Sequence, residues 1–163
     1  MTEPKVYYPL LDIENVLPIL NKIALFGGLS DKQLYTIFRQ LQRVYYETGE
    51  FVFRQGDSPG HIYIVHSGKV KIVADVDTVP LEIITFEVGK CFGETAAIGI
   101  QPHSASAVAV EDTELIVLSL AAILSIFDSD KELFGMLILN IAREACRRLH
   151  RTDEILLHYV HVK

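Results

Sequence analysis

The chain has 163 residues, half of them hydrophobic, with 15 Lys and Arg against 21 Asp and Glu and a formal net charge of −6. That length holds one domain with a substantial core and is short for two, and the hydrophobic content excludes a disordered chain. The acidic balance lacks the footprint of a nucleic-acid binder, and Cys91 and Cys146 alone make neither a disulfide framework nor a metal knuckle.

The opening Met1-Thr2-Glu3-Pro4-Lys5 has no basic segment followed by an apolar one. Charges interrupt every greasy stretch before it could span a bilayer, so a cytoplasmic protein without membrane contact is expected. Residues 13–26 carry Ile13, Val16, Leu17, Leu20, Ile23, Leu25 and Phe26 at helical spacing, closed by Gly27-Gly28. Ser30 reads as the N-cap of a second helix over 31–42, with Leu34, Ile37, Phe38 and Leu41 on its apolar face.

After Leu41 the period changes. Short β-branched and aromatic runs from Val44 to Val73 are punctuated by Thr48-Gly49, Gly56-Asp57-Ser58-Pro59-Gly60, Ser67-Gly68 and Val88-Gly89. Regular short strands with glycine turns predict an antiparallel roll, sandwich or barrel. The small-residue stretch Gly93–Gly99 reads as a short helix entered through glycine, and strands resume at 104–111 and 114–120. Helical spacing then returns: Leu120–Phe127 makes one short helix, and Ser129 is placed to cap a long one from Asp130. Along that long helix Phe134, Leu137, Ile138, Ile141, Ala142, Ala145, Leu149 and Leu156 form one broad apolar face. The expected organisation is a single domain over 1–163, mainly β with flanking helices. N-terminal helices span 13–42, an antiparallel β-roll of jelly-roll type spans 43–120, and C-terminal helices span 121–160.

Three segments in order resemble the cyclic nucleotide-binding domain family. They are Glu47-Thr48-Gly49-Glu50-Phe51-Val52-Phe53-Arg54-Gln55-Gly56-Asp57, Tyr63-Ile64-Val65-His66-Ser67-Gly68-Lys69-Val70-Lys71-Ile72, and Gly89-Lys90-Cys91-Phe92-Gly93-Glu94. The resemblance runs from about Ile19 to Arg148. It implies a ligand-binding regulatory module without catalytic or metal residues, taking cAMP or cGMP and needing no cofactor. It also implies that Phe92-Gly93-Glu94-Thr95-Ala96 is the phosphate cradle. Elementary chemistry agrees, since glycine admits a ligand close to the backbone and a helix start offers unpaired N–H groups, here those of Glu94 to Ala97. Glu94 is implied to accept a ribose hydroxyl. The bland alternative is that Gly93 turns a corner and Glu94 caps its own helix.

The next segment departs from the family pattern. Where the family carries an arginine for the cyclic phosphate, Gln101-Pro102-His103-Ser104-Ala105-Ser106-Ala107 has His103, followed by the implied hydroxyl contact Ser104. Histidine replaces a permanent planar charge with one or two donors that titrate. The exchange weakens an anion contact by roughly 1.5–3 kcal/mol, one to two decades in affinity. Three readings of His103 stand: a weaker, pH-sensitive phosphate contact; the mark of a roll that has lost nucleotide binding; or a pocket retuned for another ligand.

Lys90 ahead of the cradle, and Arg147 or Arg148 on the last helix, are candidates for a compensating cation, with Arg147 as the implied ligand contact. The alternative for the line Arg143, Arg147 and Arg151 is pairing with Glu144 and Glu154 on a solvated face. Glu154, His158 and His161 have metal-compatible spacing, which chance exposed histidines also produce. Cys91 reads as a small buried hydrophobe. No helix-turn-helix pattern follows before Lys163, so no contact with nucleic acid is expected, and the signal would leave through a protein partner or a homodimer built on the C-terminal helix. A ligand-free interaction scaffold is the alternative to a nucleotide sensor.

Overall fold

A computed structural model of the chain describes residues 4–76 and 79–161. Met1, Thr2 and Glu3 of the opening segment and the terminal Lys163 lie outside the described residues. The strands are β1 (Tyr8–Pro9), β2 (Gln42–Tyr46), β3 (Phe51–Phe53), β4 (His61–Ser67), β5 (Val70–Val76), β6 (Val79–Phe86), β7 (Cys91–Phe92), β8 (Ser106–Ala109) and β9 (Thr113–Ser119). The helices are α1 (Ile13–Leu20), α2 (Asp31–Phe38), α3 (Glu94–Gly99), α4 (Leu120–Ser129) and α5 (Lys131–His161). The strands form two antiparallel sheets, ordered β1-β2-β9-β4-β7 and β3-β8-β5-β6, so the expected roll between flanking helices is present.

Two cores follow from the period of the strands. In β4, Tyr63 and Val65 face the space between the sheets, while Ile62 and Ile64 face the helices. In β9, Leu115 and Val117 face inward and Ile116 and Leu118 outward. Because side chains alternate across a strand, these two strands are apolar on both faces and tie the roll to the helical layer. The helical core gathers Leu20, Leu25, Phe26, Leu34, Ile37, Ile123, Leu133, Leu137 and Ile141, and the inner core gathers Val44, Tyr46, Phe53, Phe86 and Phe92.

Several boundaries differ from the sequence reading. The expected helix over 13–26 is two pieces: α1 ends at Leu20, Ile23 is extended, and Ala24–Phe26 makes a 3-10 turn that buries Leu25 and Phe26. Helix α2 stops at Phe38 rather than 42, because the chain must enter β2 at Gln42 opposite Pro9 of β1. Its start is as expected, with Ser30 and Gln33 in a reciprocal capping box. At α5 the cap is Asp130, whose Oδ1 accepts from the Leu133 N–H at 3.0 Å; Ser129 instead ends α4 and donates to the Ser125 carbonyl. The apolar face of α5 is covered only in its first half: Leu133, Leu137 and Ile141 are buried, whereas Leu149 and Leu156 are exposed.

Candidate ligand-binding site

Strand β7 delivers Phe92 into the inner core, and the chain then turns at Gly93 into α3. Gly93 has φ +80°, and a Cβ there would stand 3.0 Å from Tyr63 Cδ2 and 3.2 Å from the His61 carbonyl oxygen. Both the left-handed backbone and the crowding demand glycine. The N–H groups of Glu94, Thr95 and Ala96 precede the first bond of α3, while that of Ala97 is already donated to the Gly93 carbonyl. The backbone part of the expected cradle is therefore one residue shorter than the stretch Glu94 to Ala97.

A cavity of about 280 Å³ opens beside this turn. Phe92, Gly93, Thr95 and Ala96 line one side, and Gln101, Pro102, His103 and Ser104 line another. Phe53, Ile72, Ile84 and Phe86 supply its apolar floor, with Arg148 reaching in from α5. The loop carrying His103 is tied at both ends of the residue. The His103 N–H donates to the Asp57 carbonyl at 2.9 Å, and the His103 carbonyl accepts from the Gly56 N–H at 2.8 Å. The imidazole is buried and stacked on the Phe53 ring, with centroids 3.5 Å apart and planes 10° from parallel. Burial pushes its pKa below the ordinary 6.5, and the nearby Asp57 carboxylate opposes this only in part. At neutral pH the group standing in the arginine position is thus an uncharged ring.

Glu94 is fully buried. Burial raises its pKa, Arg148 pulls the other way, and Glu144 adds a smaller like-charge push upward. Arg148 Nη1 lies 2.5 Å from Glu94 Oε1, yet no N–H points along that line. Charge rather than an aligned hydrogen bond holds the pair, and a backbone contact of Glu94 itself also favours the charged carboxylate. The other guanidinium nitrogen, Nη2, donates to the Cys91 carbonyl at 2.9 Å, and the group lies over the Phe86 ring, 4.9 Å from its centroid.

Six of the eight residues singled out in the sequence, Phe92, Gly93, Thr95, Ala96, His103 and Ser104, meet at this cavity. Glu94 sits behind its wall. Arg147 is not brought there: it is exposed and paired with Glu144, the solvated-face alternative. Its neighbour Arg148 enters instead, for a reason legible in the helix period. Leu137, Ile141 and Arg148 follow i, i+4, i+11 spacing on one face, and Arg147 is turned about 100° away. The aromatic floor of Phe53 and Phe86 was not singled out, although strand alternation marks both as inward. Lys90 is exposed and off the cavity wall. Glu154 pairs with His150 at 3.4 Å, and no group of three metal-binding side chains occurs among the described residues. No described helix is long and apolar enough to cross a membrane. Cys91 is buried, and burial pushes its thiol up to about 12, so it acts as a small hydrophobe.

Residues 43–130 match the family model of the cyclic nucleotide-binding domain. The chain is 32% identical over 130 residues to the Cyclic AMP receptor protein of Thermus thermophilus, covering 79% of this chain and 58% of that protein. It is 27% identical over 125 residues to the cGMP-dependent protein kinase egl-4 of Caenorhabditis elegans, covering 76% of this chain and 15% of that protein. The chain therefore spans only part of either relative. A cyclic nucleotide-binding domain from Methylobacillus flagellatus has the same fold, with a TM-score of 0.83 at 23% identity, covering 95% of this chain and 89% of the other.

Proposed function

Given that this chain belongs to the cyclic nucleotide-binding domain family, we propose that it is a non-catalytic sensor that binds cAMP or cGMP weakly and reports through α5. The observation that carries the reading is the company Glu94 keeps. A fully buried carboxylate, charge-paired with Arg148, lies directly behind a cavity lined by the Gly93–Ala96 turn. A buried carboxylate with one cationic partner still has lone pairs to offer, so the site can receive a further donor. The ribose hydroxyl is such a donor, and the free N–H groups at the start of α3 suit the phosphate. His103 and Ser104 close the phosphate end. The neutral His103 is what makes the binding weak, since no permanent charge replaces the arginine that the family motif carries there.

Calorimetry with cAMP and cGMP on the wild type and on His103→Arg tests this. The variant is expected to bind the preferred nucleotide ten- to a hundredfold more tightly, the return of about 1.5–3 kcal/mol of charge-assisted contact. If neither nucleotide binds His103→Arg, the cradle is not competent and the sensor reading falls.

A second reading, an interaction scaffold that acts by self-association, is favoured by one observation. The distal half of α5 exposes Leu149, Ile155, Leu156, Leu157, Tyr159 and Val160. A contiguous apolar surface of this kind is a contact surface more often than an idle one.

A further inference from the structure

A second cavity, of about 920 Å³, lies between the N-terminal segment and β3 and shares only Phe53 with the first. The segment closes one side of it as a strap. Lys5 pairs with Glu50 and stands 4.9 Å over the Tyr46 ring. Tyr7 stacks on His61 with centroids 4.8 Å apart and planes 8° from parallel, and β1 then pairs with β2. Tyr7, Tyr46, Phe51 and Phe53 make the wall of the cleft largely aromatic. Four charged side chains also line it, and three of them are engaged. The Glu50 carboxylate is held in its charged form, first by Lys5 and then by the Glu47 N–H, which it accepts at 2.7 Å. Asp57 Oδ2 accepts the Arg54 N–H at 2.7 Å. The fourth is the Arg54 guanidinium, which lies over the Phe51 ring, 3.7 Å from its centroid, and makes no ion pair among the described residues. A guanidinium steadied by a ring keeps its N–H fork at the edge, where it matches a carboxylate. A small inorganic anion would leave the aromatic wall in water, and an uncharged arene would leave the fork unused. A molecule with both parts uses both, and the cleft is of the size that holds one.

We propose that the cleft between the N-terminal segment and β3 is a second binding site, for an aromatic carboxylate. Arg54 is its anion contact, and Tyr7, Tyr46 and Phe51 are its aromatic walls. No residue of the Gly93–Ala96 turn lines this cleft, so the site stands independently of nucleotide binding in the first cavity.

The test uses 2-naphthoate and its uncharged analogue 2-naphthalenemethanol on the full chain, read by calorimetry and by amide chemical shifts. The wild type is expected to bind the carboxylate at least about tenfold more tightly than the alcohol. The shifts are expected to move at residues 5–8 and 46–54 and to stay in place at 93–104. Arg54→Gln is expected to abolish the preference for the carboxylate while leaving the affinity for the alcohol as it was. Arg54→Lys, which keeps the charge but not the planar fork, is expected to give an intermediate ratio. Arg54 is exposed, so both variants should fold as the wild type does. A ratio of affinities is also unmoved by a structural defect that weakens both compounds alike. The proposal is overturned if neither compound binds at millimolar concentration, or if Arg54→Gln keeps the wild-type ratio. Shifts confined to residues 93–104 or to the distal half of α5 would overturn it as well, by placing the naphthoate elsewhere.

Discussion

At the residue scale, the site turns on two ionisable groups that burial drives toward their neutral forms. Glu94 and His103 were both marked in the sequence, because a glycine-entered turn and a departure from a motif are visible as letters. Their protonation was not visible, since it depends on what packs around them: Phe53 under the imidazole, and Arg148 and Glu144 beside the carboxylate. Arg147 and Arg148 are adjacent letters with opposite fates, and only the phase set by Leu137 and Ile141 separates them. The depressed pKa of His103 has a directional consequence. A ligand anion favours the imidazolium, so affinity rises as pH falls between the pKa of the bound state and that of the free state, and levels off below the latter. Burial moves the free-state value below 6.5. Wild-type cAMP affinity is therefore expected to keep tightening as pH falls past about 6, where an unperturbed histidine would begin to level off. His103→Gln, which cannot charge, is expected to lack this component, and calorimetry from pH 7.5 to 5 reads the difference between the two. A wild type no more pH-dependent than His103→Gln would show that the imidazole does not meet the anion.

At the element scale, the strands were legible and the helix ends were not. Alternation and positive-φ glycines are local properties, so Gly49, Gly56, Gly68 and Gly89 announce their turns wherever the strands go. Helix ends are settled by tertiary demands. Helix α1 gives way at Asn21 so that Leu25 and Phe26 can turn under α5, and α2 yields to the pairing of β2 with β1. The residue that secures the first of these is Asn140, a polar letter inside an apolar helical face. Its Nδ2 donates to the Leu25 carbonyl at 3.1 Å and to the Gly27 carbonyl at 2.9 Å, tying α5 to the 3-10 turn. Those carbonyls have no helix to satisfy them, and Asn140 is itself buried. Asn140→Leu, close in volume, is expected to lower the stability by about 1–3 kcal/mol, because it leaves buried acceptors short of donors. Urea unfolding reads this as a lower midpoint with an unchanged slope. A variant as stable as the wild type would mean that water supplies the missing bonds.

At the scale of the whole molecule, α5 is the element that joins everything and then leaves it. Its first half seals the helical core through Leu133, Leu137 and Ile141, and Arg148, about two turns beyond Ile141, touches the cradle. From Leu149 to His161 every residue is exposed. Although the packed first half nucleates it, an unpacked stretch of that length frays readily, since propagation alone holds it in water. Yet it carries Leu149, Leu156 and Tyr159 at the 3-and-4 spacing that continues from Ala142 and Ala145, a seam that a second copy of the helix would match. The two facts together favour self-association along the distal half, with its helical order depending on concentration. Sedimentation over a range of concentrations is expected to show dimer at high loading, and hydrogen exchange to show residues 149–161 protected only there, while residues 131–145 are protected throughout. The double substitution Leu149→Asp with Leu156→Asp puts like charges into the seam and is expected to hold the protein as monomer. Because both side chains are exposed, the unfolding free energy of the monomer from urea should stay within about 0.5 kcal/mol of the wild type. A wild type that remains monomeric at every concentration removes the self-association reading and leaves the distal helix without a partner of its own kind.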